Sequence, residues 1–91
     1  MKENKRYLLI FSRLGKDETT REIKESIISF TGRFGYEKAN LKIIEAKEKE
    51  EKTQMIIAIN IGELDNVRAA LCLSKKQLIV KKISGTLKKL R

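Results

Sequence analysis

The chain has 91 residues, of which 41% are hydrophobic and 36% are charged, and its formal net charge is +9. This length predicts one small packed domain over residues 1–91, with a short basic tail at 86–91, and leaves no room for a second domain. The longest apolar runs are too short to cross a bilayer, and the first fifteen residues lack the apolar core of an export signal, so we predict a cytoplasmic protein.

The first part of the chain predicts a strand followed by a helix. The apolar run RYLLIFS, residues 6–12, is typical of a strand that is covered on both faces. A helix follows from Asp17 to Phe34, with Asp17 as its predicted cap and Gly35 as its predicted stop. Its apolar positions, which recur at helical spacing, are Ile23, Ile27, Phe30 and Phe34.

Two segments of alternating apolar and polar residues predict a hairpin next. The strands are placed at Ala39–Ala46 and Thr53–Ile61, and the charged run KEKEEK, residues 47–52, connects them. Alternating charges at the tip of a hairpin usually do no more than keep it solvated. We therefore assign no function to this run.

A short amphipathic helix is predicted after the break at Gly62. Asp65 is placed to cap it, and three small or aliphatic residues share one side, namely Val67, Ala70 and Leu71. The single cysteine, Cys72, lies in the same apolar stretch, so we predict a buried and inert thiol.

The segment Gln77–Ile83 is rich in aliphatic residues and predicts a fourth strand, after which Thr86 is placed to cap one last turn. The order strand, helix, strand, strand, helix, strand predicts an α+β fold of the ferredoxin-like, or RRM-like, βαββαβ type. Its four-stranded antiparallel sheet would carry both helices on one face. The second face would be apolar, so we expect a protein partner or a terminal segment to cover it.

The excess of basic residues lies near the two ends of the chain. The last eighteen residues contain seven Lys and Arg and no acid. With the expected strand order four, one, three, two, the start of strand one comes close to the end of strand four. We therefore predict a basic edge about strand four that follows a phosphate backbone, because neutralising phosphates releases counterions.

Base stacking on the sheet is not expected from the sequence. The third strand, TQMIIAINI, has none of the aromatic residues with which RNA-recognition motifs stack bases. Tyr7 and Phe11 share one face of strand one, where their aliphatic neighbours favour core or partner contacts. The chain has no histidine, no Cys/His cluster and no phosphate-binding glycine loop, so we predict no catalytic residues, metal site or cofactor in this chain.

Two short motifs in the C-terminal half resemble a known family. The run VRAALCLSKKQLIVKKISGTLKKL, residues 67–90, contains an AAL motif beginning at Ala69 and an SGT motif beginning at Ser84 that is followed by basic residues. Together they resemble the small ferredoxin-like protein subunit of ribonuclease P in archaea, protein component 2, of the eukaryotic and archaeal family. The resemblance extends more weakly through Phe34, Gly35 and Ala39 to the pair Arg6-Tyr7.

The resemblance implies a ribonucleoprotein that removes the 5′ leader from precursor tRNA. In such an enzyme the RNA holds Mg²⁺ and makes the cut, and this chain would brace the RNA without being catalytic itself. The implied partners are ribonuclease P RNA, precursor tRNA, a TIM-barrel-like protein subunit and a second copy of the chain. The final turn, residues 86–91, is too short to be stable alone, so we expect it to become ordered on RNA or on the partner.

The predicted RNA-binding set combines the basic edge with the SGT motif. Its basic residues would contact phosphates, Gly85 would allow close approach of the backbone, and the two hydroxyls would add polar contacts. A turn that only ends the strand and caps a helix is the alternative for SGT. The set is Lys5, Arg6, Arg13, Lys75, Lys76, Lys81, Lys82, Ser84, Gly85, Thr86, Lys88, Lys89 and Arg91.

Two other functions are compatible with the predicted fold. One is a ribosomal or other ribonucleoprotein module that binds a different RNA. The other is a small-molecule regulatory domain, for which the loop Arg13–Lys16 would hold the ligand, although a single glycine there is weak support.

Overall fold

The computed structural model describes residues 4–50, 52–74 and 78–90. Within them the chain forms four strands, two α-helices and a 3₁₀ turn, in the predicted order. The elements are β1 (Lys5–Ser12), α1 (Lys16–Ala39), β2 (Lys42–Lys49), β3 (Lys52–Asn60), the 3₁₀ turn (Ile61–Glu63), α2 (Leu64–Leu73) and β4 (Leu78–Ser84).

The strands form one antiparallel sheet in the order β2-β3-β1-β4. This is the predicted spatial order, and it confirms the ferredoxin-like fold. Strand β1 lies in the middle, paired with β3 along its whole length and with β4 across an irregularity between Leu9 and Ile10. Neither helix is long and apolar enough, in the part of the chain described, to span a membrane.

The main core lies between the sheet and the two helices. Leu8 and Ile10 of β1 are fully buried there, together with aliphatic residues of β3 and α1. Helix α2 adds its predicted apolar side. The other buried members are Ile23, Ile27, Ala39, Met55, Ile57, Ile59, Val67, Ala70 and Leu71.

Helix α1 is longer than predicted and is interrupted at Gly32. Gly35 does not end it; the helix continues to Ala39, and Asn40 terminates it in the left-handed conformation, with φ 47°. Gly32 has φ 80° and ψ 171°, so the backbone leaves helical geometry there. Of the predicted apolar stripe, Ile23 and Ile27 are buried, whereas Phe30, before the interruption, is 46% exposed and Phe34, after it, is 72% exposed.

Four further local predictions were wrong. Asp17 and Asp65 lie in the first turns of the two helices and are not their caps. Strand β2 begins at Lys42, because Ala39, predicted to open it, is the last residue of α1 and Asn40 is the cap of that helix. Cys72 is exposed, since it follows Leu71 on an amphipathic helix and so lies away from the buried side.

The second face of the sheet, opposite the helices, is partly covered by the C-terminal turn. Leu87 and Leu90 pack against Tyr7, Leu9 and Ile56, and the backbone N–H of Leu90 donates to the carbonyl of Leu87 over 2.9 Å. A terminal segment was one of the two coverings expected for this face. The turn thus packs on the sheet of its own chain, and the expectation that it becomes ordered on RNA or on a partner stays a prediction.

Replacing Leu90 by Ala should destabilise the protein although it lies next to the chain end. The side chain is 7% exposed, so its loss leaves a gap on the sheet, and we expect about 2 kcal/mol, the low end of Leu→Ala costs, because an end segment relaxes readily. Leu73→Ala is the matched control; that side chain is 67% exposed and should change the free energy of unfolding by less than about 0.5 kcal/mol. Urea unfolding measures both. Equal effects would show that the turn does not pack on the sheet.

Candidate nucleic-acid interface

Alternation along the strands determines which side chains lie on the sheet face opposite the helices, here called the open face. Residues paired across antiparallel strands lie on the same face. Starting from Tyr7, Leu9 and Phe11 of β1, the pairing gives three rows across the sheet. The rows are Lys42–Ala58–Tyr7–Ser84, Glu45–Ile56–Leu9–Lys82 and Lys47–Gln54–Phe11–Ile79.

The start of β1 touches the SGT turn, as the strand order predicts. The Arg6 Nη1 atom donates to the carbonyl of Lys5 over 3.0 Å. A Cβ atom added to Gly85 would lie 3.3 Å from Arg6 Nη1, so the guanidinium lies directly against the glycine backbone. The absence of a side chain at residue 85 therefore leaves room for Arg6 beside the turn.

The SGT turn and the residues after it present polar groups to solvent. The backbone N–H of Thr86 donates to the Ser84 hydroxyl over 3.1 Å, which closes the turn, and Thr86 itself is exposed. Since Leu87 and Leu90 hold the segment on the sheet, Lys88 and Lys89 between them are left exposed. No regular helix forms at residues 86–90.

The remaining predicted residues differ in their exposure. Lys82 is exposed on the open face opposite Leu9, while the Lys5 Nζ atom is buried and presents no surface to a phosphate in this conformation. Lys81 lies at the irregularity in the β1–β4 pairing, and its ammonium is 5.7 Å from the centre of the Phe11 ring. Lys75, Lys76 and Arg91 lie outside the described residues.

Arg13 is exposed on a loop that hydroxyl groups hold in place. The Ser12 Oγ atom accepts hydrogen bonds from the Leu14 N–H over 2.9 Å and from the Thr19 hydroxyl over 2.8 Å. The Thr53 hydroxyl donates to the Leu14 carbonyl over 2.8 Å. Because Ser12, Thr19 and Thr53 are buried, these bonds fix the backbone on both sides of Arg13.

A second group of basic residues was missed by the sequence prediction. At the hairpin end of the open face lies a groove of about 660 Å³, and it includes Arg13 and Lys81 from the predicted set. It also includes Lys47, Lys49 and Lys52, from the run to which no function was assigned. These lysines could have been predicted from the alternation of Lys and Glu in KEKEEK, because successive residues of a strand lie on opposite faces.

Glu48 shows the effect of this alternation, because it points away from the open face. Its Oε1 atom accepts a hydrogen bond of 2.6 Å from the backbone N–H of Lys16, the first residue of α1. The residue before the helix, Gly15, has no side chain to cap it, so a carboxylate from β2 takes that role. Glu48 thus binds the start of α1 on the helix side of the sheet, while Lys47 and Lys49 lie on the open face.

Residues 4–50, 52–74 and 78–90 contain no group of three or more Cys, Asp or Glu arranged to hold a metal ion. What the described part of the open face does present is a set of basic and aromatic side chains.

Comparison with known proteins gives one family. The family model described as the Rpp14/Pop5 family, RNase_P_Rpp14, matches residues 3–91. No curated protein sequence matches the chain. Among solved structures, the chain is similar to the de novo designed protein Ferredog-Diesel, at 14% sequence identity and a TM-score of 0.43, over 90% of this chain and 88% of that chain.

Replacing Glu48 by Ala should lower stability, because it removes the acceptor and the negative charge at the start of α1. A charge at a helix N-terminus is worth about 0.3–1 kcal/mol, and the loss should shrink at high salt. Glu25→Ala, on the exposed middle of the same helix, is the control and should have less effect. Chemical unfolding at low and high salt makes the comparison. An effect no larger than that of Glu25→Ala would show that the bond contributes nothing.

Proposed function

The chain belongs to the Rpp14/Pop5 family of ribonuclease P protein subunits, and we propose that it binds and braces the catalytic RNA of that enzyme during removal of the 5′ leader from precursor tRNA. The observation that carries the proposal is the grouping of Arg6, the SGT turn, Lys82 and the two exposed lysines after the turn at one end of the sheet.

This grouping suits a phosphate backbone better than a single anion. Lys82 is held by a sheet strand, and Lys88 and Lys89 lie on a turn anchored by two leucines. Arg6 and the exposed Thr86 add donors beside them. Cations that are already positioned lose less conformational entropy on binding than those of a loose tail, and each neutralised phosphate releases counterions.

Membership of the family supports a division of labour between the RNA and the protein. The RNA would hold Mg²⁺ and cut precursor tRNA, so the chain itself is non-catalytic and needs no cofactor of its own. Its protein partners would be a TIM-barrel-like subunit and a second copy of the chain, and it would act in the cytoplasm.

Reconstitution tests the role directly. The full chain alone should leave precursor tRNA uncut, and it should raise cleavage by the cognate ribonuclease P RNA at low Mg²⁺ when the partner subunit is present. A chain that gives no stimulation under these conditions contradicts the proposal. If RNA crosslinked to the chain in cells proves to be a different ribonucleoprotein RNA, the alternative module is correct.

The salt dependence of RNA binding should show how many phosphates the basic edge neutralises. If roughly six phosphates are neutralised, log affinity should fall against log salt with a slope of about −4 to −5. Lys88→Ala with Lys89→Ala should make the slope shallower by about 1.5, because two of those contacts are lost. Titration of the RNA at several salt concentrations measures it.

A charge-matched control is available on the helix layer. Arg21→Ala with Arg33→Ala removes the same charge from exposed positions of α1, away from the open face, and should leave the slope nearly unchanged. Equal changes in the two double variants would mean that only net charge matters, and that the C-terminal turn is not at the RNA.

A further inference from the structure

The C-terminal turn covers only one end of the open face. Leu87 and Leu90 pack on Tyr7, Leu9 and Ile56, whereas the row formed by Phe11 and Ile79 lies outside this contact. Phe11 is 38% exposed and Ile79 is 55% exposed. An aromatic ring and an aliphatic side chain therefore line the floor of the groove at the hairpin end.

The walls of this groove are predominantly basic. Among the described residues that line it, five are basic, Arg13, Lys47, Lys49, Lys52 and Lys81, and one is acidic, Glu50. Such a concentration of one sign in a concave surface attracts anions, and an apolar floor beneath it favours a ligand that is both flat and negatively charged.

We propose that this groove binds a single-stranded RNA segment, with one base stacked on Phe11 and the adjoining phosphates held by the surrounding lysines. The inference rests on the proposed function, since it takes the RNA of the same ribonucleoprotein as its ligand. Strand β1 thus supplies the stacking residue, although strand β3 has none of the aromatics of an RNA-recognition motif.

The contacts of Phe11 fit this ligand. The Lys81 ammonium lies over the Phe11 ring at 5.7 Å, so a face of the ring is turned toward the basic side chains of the groove. A base on the ring would displace the ammonium toward the neighbouring phosphate. Gln54, in the same row, offers both a donor and an acceptor to a base edge.

The size and chemistry of the groove favour RNA over an acidic peptide. Its volume of about 660 Å³ lies within the range of roughly 300–1,000 Å³ found for small-molecule pockets, which is enough for a nucleotide. A carboxylate would use the lysines but not the ring of Phe11. A base uses both, and stacking on aromatic side chains is a general mode of single-strand binding.

The test measures binding of the full chain to a fluorescent eight-nucleotide single-stranded RNA. Phe11→Leu keeps an apolar side chain and removes the stacking surface, so affinity should fall about fivefold or more. Phe34→Leu is the matched control, because Phe34 is also exposed and also lies beneath a lysine, Lys38, at 5.1 Å. It should leave the affinity unchanged.

A second pair of measurements separates stacking from charge. With an RNA that carries abasic sites throughout, Phe11→Leu should bind as the unsubstituted chain does. Lys47→Gln with Lys49→Gln, at exposed positions, should weaken binding of normal and abasic RNA alike, and it tests the groove even if Phe11→Leu unfolds. Equal affinity of the Phe11→Leu and unsubstituted chains for normal RNA would overturn the proposal. Displacement of the bound RNA by polyglutamate as readily as by unlabelled RNA would also overturn it.

This result is independent of the reconstitution outcome. If Phe11→Leu loses affinity for the short RNA while the chain fails to stimulate ribonuclease P RNA, the groove is correct and the proposed function is wrong. If the chain stimulates the enzyme while Phe11 has no effect on RNA binding, the proposed function stands and the groove proposal is overturned.

Discussion

The structure depends on strand β1 being apolar on both faces. Leu8 and Ile10 face the helices and are fully buried, while Leu9 and its alternate neighbours face the other way. A central strand of this kind must be covered twice, because exposed aliphatic surface is unfavourable in water by about 25 cal/mol per Å². The helix layer buries Leu8 and Ile10 on the first face. On the second face, the covering that the described residues provide is the last turn of the chain, and this difference determines which surface is available to a ligand.

The short cover divides the open face into two parts. At one end, two leucines bring the C-terminal turn onto the sheet, so that a basic segment becomes part of a folded surface beside Arg6 and the SGT turn. At the other end, Phe11 remains accessible among lysines of the hairpin and of β4. Both parts are basic, and the pairing of β1 with β3 and β4 holds them in a fixed relation. An RNA strand that follows the open face would meet the two in succession.

The sequence was sufficient for the topology, because the order of elements and their apolar periods leave few ways to pair four strands. It also placed Arg6 beside the SGT turn, since that contact follows from strand order alone. The sequence did not predict those features of a residue that depend on tertiary contacts. Helix α1 passes Gly35 because helix geometry resumes after Gly32, and Cys72 is exposed because an apolar neighbour occupies the buried side of α2. The lysines of the hairpin were missed because their run was read as one charged stretch, without assigning alternate residues to opposite faces.

Whether RNA binds the open face can be measured by differential acetylation of the lysines. The reconstituted complex and the free chain would be treated with the same reagent, and the modified residues identified by mass spectrometry. RNA should protect Lys47, Lys82, Lys88 and Lys89, while Lys24 and Lys38 on helix α1 should remain as reactive as in the free chain. Protection of the two helix lysines with unchanged reactivity on the open face would contradict RNA binding there.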